Sequence, residues 1–152
     1  MIWAGQGVLM ANATEELQTL AELLSAPVFT TMPGKSAIDE RHDLSIGAGS
    51  QTTTLAAKEF LTHSDTILAL GTSLTGTSYA QSIPPGKTII QNVDNVDDIN
   101  KDESVEVSLI GDTKETINLL IDDLQELYGT AKMDDPTIRN EIAKYKKDMD
   151  DD

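Results

Sequence analysis

The sequence predicts an α/β domain built on a mostly parallel sheet with helices on both faces. Two observations carry that prediction. Short β-rich apolar runs alternate with segments of helical periodicity along most of the 152 residues. The runs also end at glycine or an acid, as strands do when they turn into a crossover helix: Ala4-Gly5, Leu70-Gly71, Val93-Asp94 and Ile110-Gly111.

Ile2–Ala4 reads as a truncated first strand. It is followed at once by Gly5-Gln6-Gly7. Glycines there let the backbone turn tightly and approach a ligand or a neighbouring element. Such a turn normally follows a full strand, so the expectation is a piece of a larger protein. Glu15 to Leu24 is a helix, with Leu17, Leu20, Ala21 and Leu24 on one face. Asn12 or Thr14 is its expected cap, and Asn12 with Glu15 has capping-box spacing. Val28–Thr31 is a strand ended by Pro33-Gly34. Residues 34–50 are polar and read as a long loop. Thr53 to Thr62 is a helix with Leu55, Ala56 and Phe60 inward. Thr66–Leu70, Thr88–Val93 and Val105–Ile110 are strands. Asp112 and Glu115 form a capping box for the strongest helix, whose buried stripe is Ile117, Leu120, Ile121 and Leu124. Residues 1–130 make up the domain. Residues 131–152 read as a linker or docking tail holding a short helix started by Pro136, with Ile138, Ile142 and Tyr145 along one side.

Composition narrows the function classes. There are no cysteines, which excludes disulfides and thiolate chemistry. Net charge is −15, and residues 92–126 hold eleven acids against two lysines. Such a surface repels phosphate backbones, so no nucleic-acid partner is expected. No apolar run reaches bilayer length, so a cytoplasmic protein without membrane contact is expected.

Candidate site residues sit after the strands, because ligands of open parallel sheets lie outside the strands' carboxyl ends. Gly5-x-Gly7 reads either as a structural turn or as a place where backbone amides receive a pyrophosphate. Its third glycine is absent, since Met10 stands there. The loop opened by Gly71, Thr72, Ser73 and Leu74 is small and hydroxyl-rich, suited to phosphate or ribose, or else an ordinary loop. Asp94 follows a strand and suits ribose hydroxyls. Clustered with Asp97 and Asp98, it also suits a divalent cation or plain solvent. Asp112 caps its helix and is placed to touch a ligand. Neither His42 nor His63 has a second histidine nearby, and no serine occupies a nucleophile elbow. No catalytic residue and no metal site is expected in this chain.

Four pieces, in order, resemble the central domain of thiamine-diphosphate-dependent enzymes, especially the acetolactate synthase-like group. They are Trp3-Ala4-Gly5-Gln6-Gly7-Val8; Ala26-Pro27-Val28-Phe29-Thr30-Thr31 with Gly34-Lys35-Ser36-Ala37 and Glu40-Arg41-His42; Ser64-Asp65-Thr66-Ile67-Leu68-Ala69-Leu70-Gly71; and Gly111-Asp112-Thr113-Lys114. The likeness spans residues 2 to about 128. It implies a Rossmann-like sheet of six parallel strands set between two thiamine-diphosphate domains of a parent transferase or lyase. That parent decarboxylates a 2-oxo acid and transfers or releases the resulting unit. Thiamine diphosphate and Mg²⁺ would sit in the other domains, leaving this chain inactive alone.

The resemblance further implies nucleotide contacts at Gly5, Gly7, the Gly47 loop, Gly71, Thr72, Ser73, Leu74, Asp94 and Asp112. FAD ranks below ADP, because the family's arginine-bearing flavin loop is replaced here by Thr72–Gln81, and Asn92-Val93-Asp94-Asn95-Val96 sets the acids out of register. Partners would be the parent's other domains and a second copy in a homodimer. A stand-alone nucleotide-binding or regulatory module is the alternative; an intact first strand would favour it. A sirtuin-like deacylase is a third reading, which the absence of cysteine opposes.

Overall fold

The structure is a computed structural model, and it describes residues 1–50, 52–129 and 135–150. Six strands form one sheet in the order β3-β2-β1-β4-β5-β6. In chain order they are β1 Ile2–Ala4, β2 Val28–Thr31, β3 Ser45–Gly49, β4 Thr66–Leu70, β5 Thr88–Val93 and β6 Val107–Ile110. Every pairing is parallel. β1 is three residues long, yet it sits at the centre of the sheet. Its Trp3 pairs with Phe29 on one side and Ala69 on the other. Ile2, Trp3 and Ala4 are all buried, as a central parallel strand covered on both faces requires.

Among the described residues there are five α-helices: α1 Gln6–Met10, α2 Thr14–Leu24, α3 Leu55–His63, α4 Thr113–Tyr128 and α5 Pro136–Asp150. Leu17, Leu20 and Ala21 of α2 are buried as the periodicity requires. Leu23 is buried with them, and Leu24 only packs against their edge. The cap of α2 differs from expectation. Its N-cap is Ala13, with no side-chain cap bond. Asn12 is instead in the left-handed region (φ 53°), in the tight turn between α1 and α2, one residue before the cap.

α3 is capped by Thr54, whose hydroxyl accepts from Ala57 N. That start rotates the buried face to Ala56, Ala57, Phe60 and Leu61 and leaves Leu55 at the surface. The capping of α4 follows the sequence: Asp112 Oδ1 accepts from Glu115 N at 3.0 Å. Ile117 and Ile121 are buried, with Leu120 and Leu124 beside them.

Two segments depart from expectation. Residues 34–50 do not run as one loop, because Ser45–Gly49 pairs with β2 as the edge strand β3. Its glycines give no strand signal, but Gly49 lies over the Phe29 ring where a side chain would collide. At the other edge, β6 begins at Val107 and is mostly exposed. Val105 precedes it, with its amide bound to Asn100 Oδ1.

The terminal helix is longer than the short one expected and folds back onto the domain. Ile142 of α5 is buried, and Tyr145 meets Phe60 of α3 edge-on with centroids 6.2 Å apart. Lys146 Nζ donates to the His42 carbonyl at 3.2 Å. His42 itself is structural: its Nδ1 accepts from Leu44 N, which leaves Nε2–H to donate to Glu22 at 3.0 Å.

Candidate functional site

The strand order runs outward in two directions from the β1/β4 pair. At such a switch point the connections diverge and open a crevice beyond the carboxyl ends. The turns after β1 and β4 frame that crevice and touch each other. Gly5 N donates to Leu70 O at 2.9 Å, and Gly7 N to Gly71 O at 2.8 Å. A methyl on Gly5 would sit 2.6 Å from Thr72 Cβ, and one on Gly7 2.7 Å from Gly71 Cα. Gly71 is left-handed (φ 63°) and meets Val8 N in the same way. Close approach of two backbones thus accounts for all three glycines.

Two buried amides of β5 brace this junction from below. Asn92 Oδ1 accepts from Gly71 N at 3.3 Å, while its Nδ2 donates to the carbonyls of Leu109 and Gly111. It therefore ties β4, β6 and the start of α4 together. Gln91 Nε2 donates to Thr72 O at 2.8 Å, and its Oε1 is buried without a hydrogen-bond partner.

Above the junction lies a cleft of about 900 Å³. One wall is apolar, with Met10, Met32, Leu74, Tyr79 and Ile83; Met10 and Tyr79 are each 79% exposed. The Gly71–Gly76 loop supplies hydroxyls. Asp94, Asp98, Glu103 and Asp112 supply carboxylates. No lysine or arginine lines the cleft among the described residues. Burial, with the adjacent Asp102 charge, raises the Glu103 carboxyl above its ordinary value. Asp98 has Lys101 at 3.7 Å, and Asp112 is committed to capping α4.

Of the residues expected at a site, Gly7, Gly71, Thr72, Ser73, Leu74, Asp94 and Asp112 line this cleft. Gly5 lies behind the turn, packed on Gly71 and Thr72. Gly47 lies within β3 (φ 97°) against the Thr54 side chain. Sequence reasoning missed Gln6, Met10, Met32, Tyr79 and Glu103. Met32 was findable, since it follows β2 as Gly71 follows β4. Tyr79 carried no local signal: its place depends on how the 72–87 loop folds over the sheet.

A six-stranded parallel sheet with its crevice at the switch point defines a Rossmann-like α/β domain. The chain belongs to the family described as thiamine pyrophosphate enzyme, central domain, whose sequence model matches residues 1–120. Among its relatives is an acetolactate synthase of Mycobacterium bovis, 33% identical over 89% of this chain and 22% of the relative. A probable acetolactate synthase large subunit of Methanocaldococcus jannaschii is 33% identical over 97% of this chain and 25% of the relative. A 3D-(3,5/4)-trihydroxycyclohexane-1,2-dione hydrolase of Bacillus cereus is 32% identical over 81% and 19%. The chain thus spans about a quarter or less of these relatives' lengths.

Proposed function

We propose that the chain serves as the non-catalytic central domain of an acetolactate synthase-like enzyme that decarboxylates a 2-oxo acid and transfers or releases the product unit. The family match over residues 1–120 carries this reading. Residues 1–130 form the domain of a cytoplasmic parent, and residues 131–152 are a linker or docking tail whose helix α5 packs on α3 of the same chain. None of the described helices is long and apolar enough to cross a membrane. The parent's other domains are its partners, together with a second copy of the chain.

Thiamine diphosphate and Mg²⁺ belong to those other domains. Among the described residues no lysine or arginine lines the cleft, so a diphosphate held there would rest on backbone amides and hydroxyls alone. Among the described residues no group of three or more His, Asp or Glu is placed to hold a metal. No chemical step is assigned to this chain. Its cleft is a nucleotide site, with Gly7, Gly71–Leu74, Asp94 and Asp112 around the ligand. ADP ranks above FAD, because the Thr72–Gln81 loop carries no arginine to hold a flavin's phosphates.

The test is direct. Purified chain given pyruvate, thiamine diphosphate and Mg²⁺ releases no carbon dioxide above a buffer control, and it purifies colourless. Turnover would overturn the non-catalytic assignment. A yellow protein with bound flavin would overturn the ranking of ADP over FAD.

A further inference from the structure

The two edges of the sheet are finished differently. The β3 edge is covered: Ser45, Ile46 and Gly49 are buried, and Thr54 Oγ1 donates to the Ile46 carbonyl. The β6 edge is open among the described residues. Val107, Ser108 and Ile110 are exposed, and Leu109 is half-buried. β6 pairs with β5 in unbroken register on one side and with no strand on the other. An open edge presents a row of unpaired N–H and C=O groups, which proteins blunt with a charge, a proline or a bulge. Val107-Ser108-Leu109-Ile110 has none of the three, in a chain of net charge −15. The nearest acids stand just outside it, at Glu106 and Asp112.

That placement of charge fits a second copy of the same strand in one register. Two copies related by a two-fold axis present the same strand to each other and pair antiparallel. Antiparallel pairing sets outward-facing amides opposite one another, so the axis passes through a residue rather than between two. With the axis at Leu109, Glu106 of each copy faces Asp112 of the other, and like charges directly opposite are destabilising. With the axis at Val107, only Val107 of β6 overlaps its counterpart. With the axis at Ser108, Val107 faces Leu109 of the second copy and Leu109 faces its Val107, giving two apolar cross-strand pairs. Glu106 then faces Ile110, and no acid faces an acid.

We propose that β6 is a self-pairing edge: a second copy adds its own β6 antiparallel, with Ser108 on the two-fold axis, and joins the two six-stranded sheets into one. This rests on the reading that a second copy is a partner, and it names the surface and register by which the copies meet. So short a seam makes a weak dimer, formed where salt screens the −15 charge of each copy.

Cysteine cross-linking of the full chain tests it, because the chain has no cysteine of its own and a single introduced thiol can bridge only to another copy. In this register Ser108 lies opposite Ser108 of the second copy with Cα atoms about 5 Å apart, within disulfide reach. Ile110, exposed on the same face, lies four residues along the strand from its counterpart, about 14 Å away. At about 0.5 M salt with copper–phenanthroline, Ser108→Cys is expected to form a covalent dimer at least about tenfold faster than Ile110→Cys. A charge swap gives a second readout. Ser108→Lys and Ser108→Asp each weaken self-association when alone, and an equal mixture of the two restores a mixed dimer. Equal cross-linking of the two cysteine variants, or a dimer that neither charge variant weakens, overturns the β6 seam and leaves a second copy as partner through another surface. A monomer mass for the unsubstituted chain by light scattering at every salt and concentration overturns both.

Discussion

At the scale of single residues, the glycines of the two crossing turns do more for the fold than for any ligand. Gly71 combines a left-handed backbone with a neighbouring amide 2.6 Å from where a methyl would be. Gly86 is also left-handed (φ 85°), but nothing lies within 4 Å of its would-be methyl. The pair separates backbone strain from crowding. Gly86→Ala is expected to cost about 1 kcal/mol, the conformational penalty alone. Gly71→Ala is expected to cost about 3 kcal/mol, because the β1–α1 turn must also move. Urea melts of the two variants measure this, and equal losses would show that the close approach carries no energy. That Gly5 and Gly7 mark a tight backbone approach was legible in the sequence. Their partner was not, since Gly71 lies more than sixty residues away and meets them only when β1 and β4 pair. Gln91 and Asn92 escaped notice for a related reason. Two amides at the end of a strand look like solvent-facing polar residues until three elements close over them.

At the scale of elements, α5 shows how a weak stripe becomes a docked helix. Its charged sequence would not hold a helix in isolation. Ile142 is fully buried in the groove beside α3, and Tyr145 adds an edge-on contact with Phe60. Ile142→Ala is expected to cost about 3 kcal/mol through lost burial and the void left behind. The loss should be local at first: amide exchange in α5 should quicken while α4 stays protected. Unchanged exchange in α5 would mean that the helix is held by something other than this contact. A second test concerns α4, whose N-cap is Asp112. Asp112→Ala is expected to cost about 1 kcal/mol in a thermal melt, as loss of a helix cap does. No loss would mean that α4 is held by Ile117 and Ile121 alone. The capping box of α4 was readable because Asp112 and Glu115 are adjacent in sequence. The edge strand β3 was not readable. Ser45-Ile46-Gly47-Ala48-Gly49 has low strand propensity, and only the room needed by Phe29 and Thr54 explains its glycines.

At the scale of the whole molecule, charge and exposed apolar surface oppose one another. The net charge of −15 resists close approach of two copies. Apolar side chains nonetheless remain exposed at one edge and on the outer face of α4: Val107, Ile110, Leu119, Leu127 and Tyr128. The terminal segment, the contributor expected from sequence, is occupied with α3 in the same chain, so the α4 and β6 surfaces are the remaining candidates. A dimer is expected at moderate salt and a weaker one at low salt, where repulsion is unscreened. Light scattering across salt and concentration measures it, and a monomer mass throughout would refute self-association by these surfaces.

The alternation of apolar runs with helical periodicity, by itself, determined the α/β class, five of the six strands and the helices α2, α3 and α4, because each depends on side chains a few residues apart. It also pointed to the strand ends as the place for a ligand, since that rule needs only the order of elements. The tertiary structure alone decided what the cleft is like. Its apolar wall comes from α1, the end of β2 and the loop after β4, and its acids from the segments after β5 and β6. Whether an amide in a glycine turn is free for a phosphate depends on which distant carbonyl reaches it first. Here Leu70, Gly71 and Asn92 do, and only the pairing of β1, β4 and β5 brings them there.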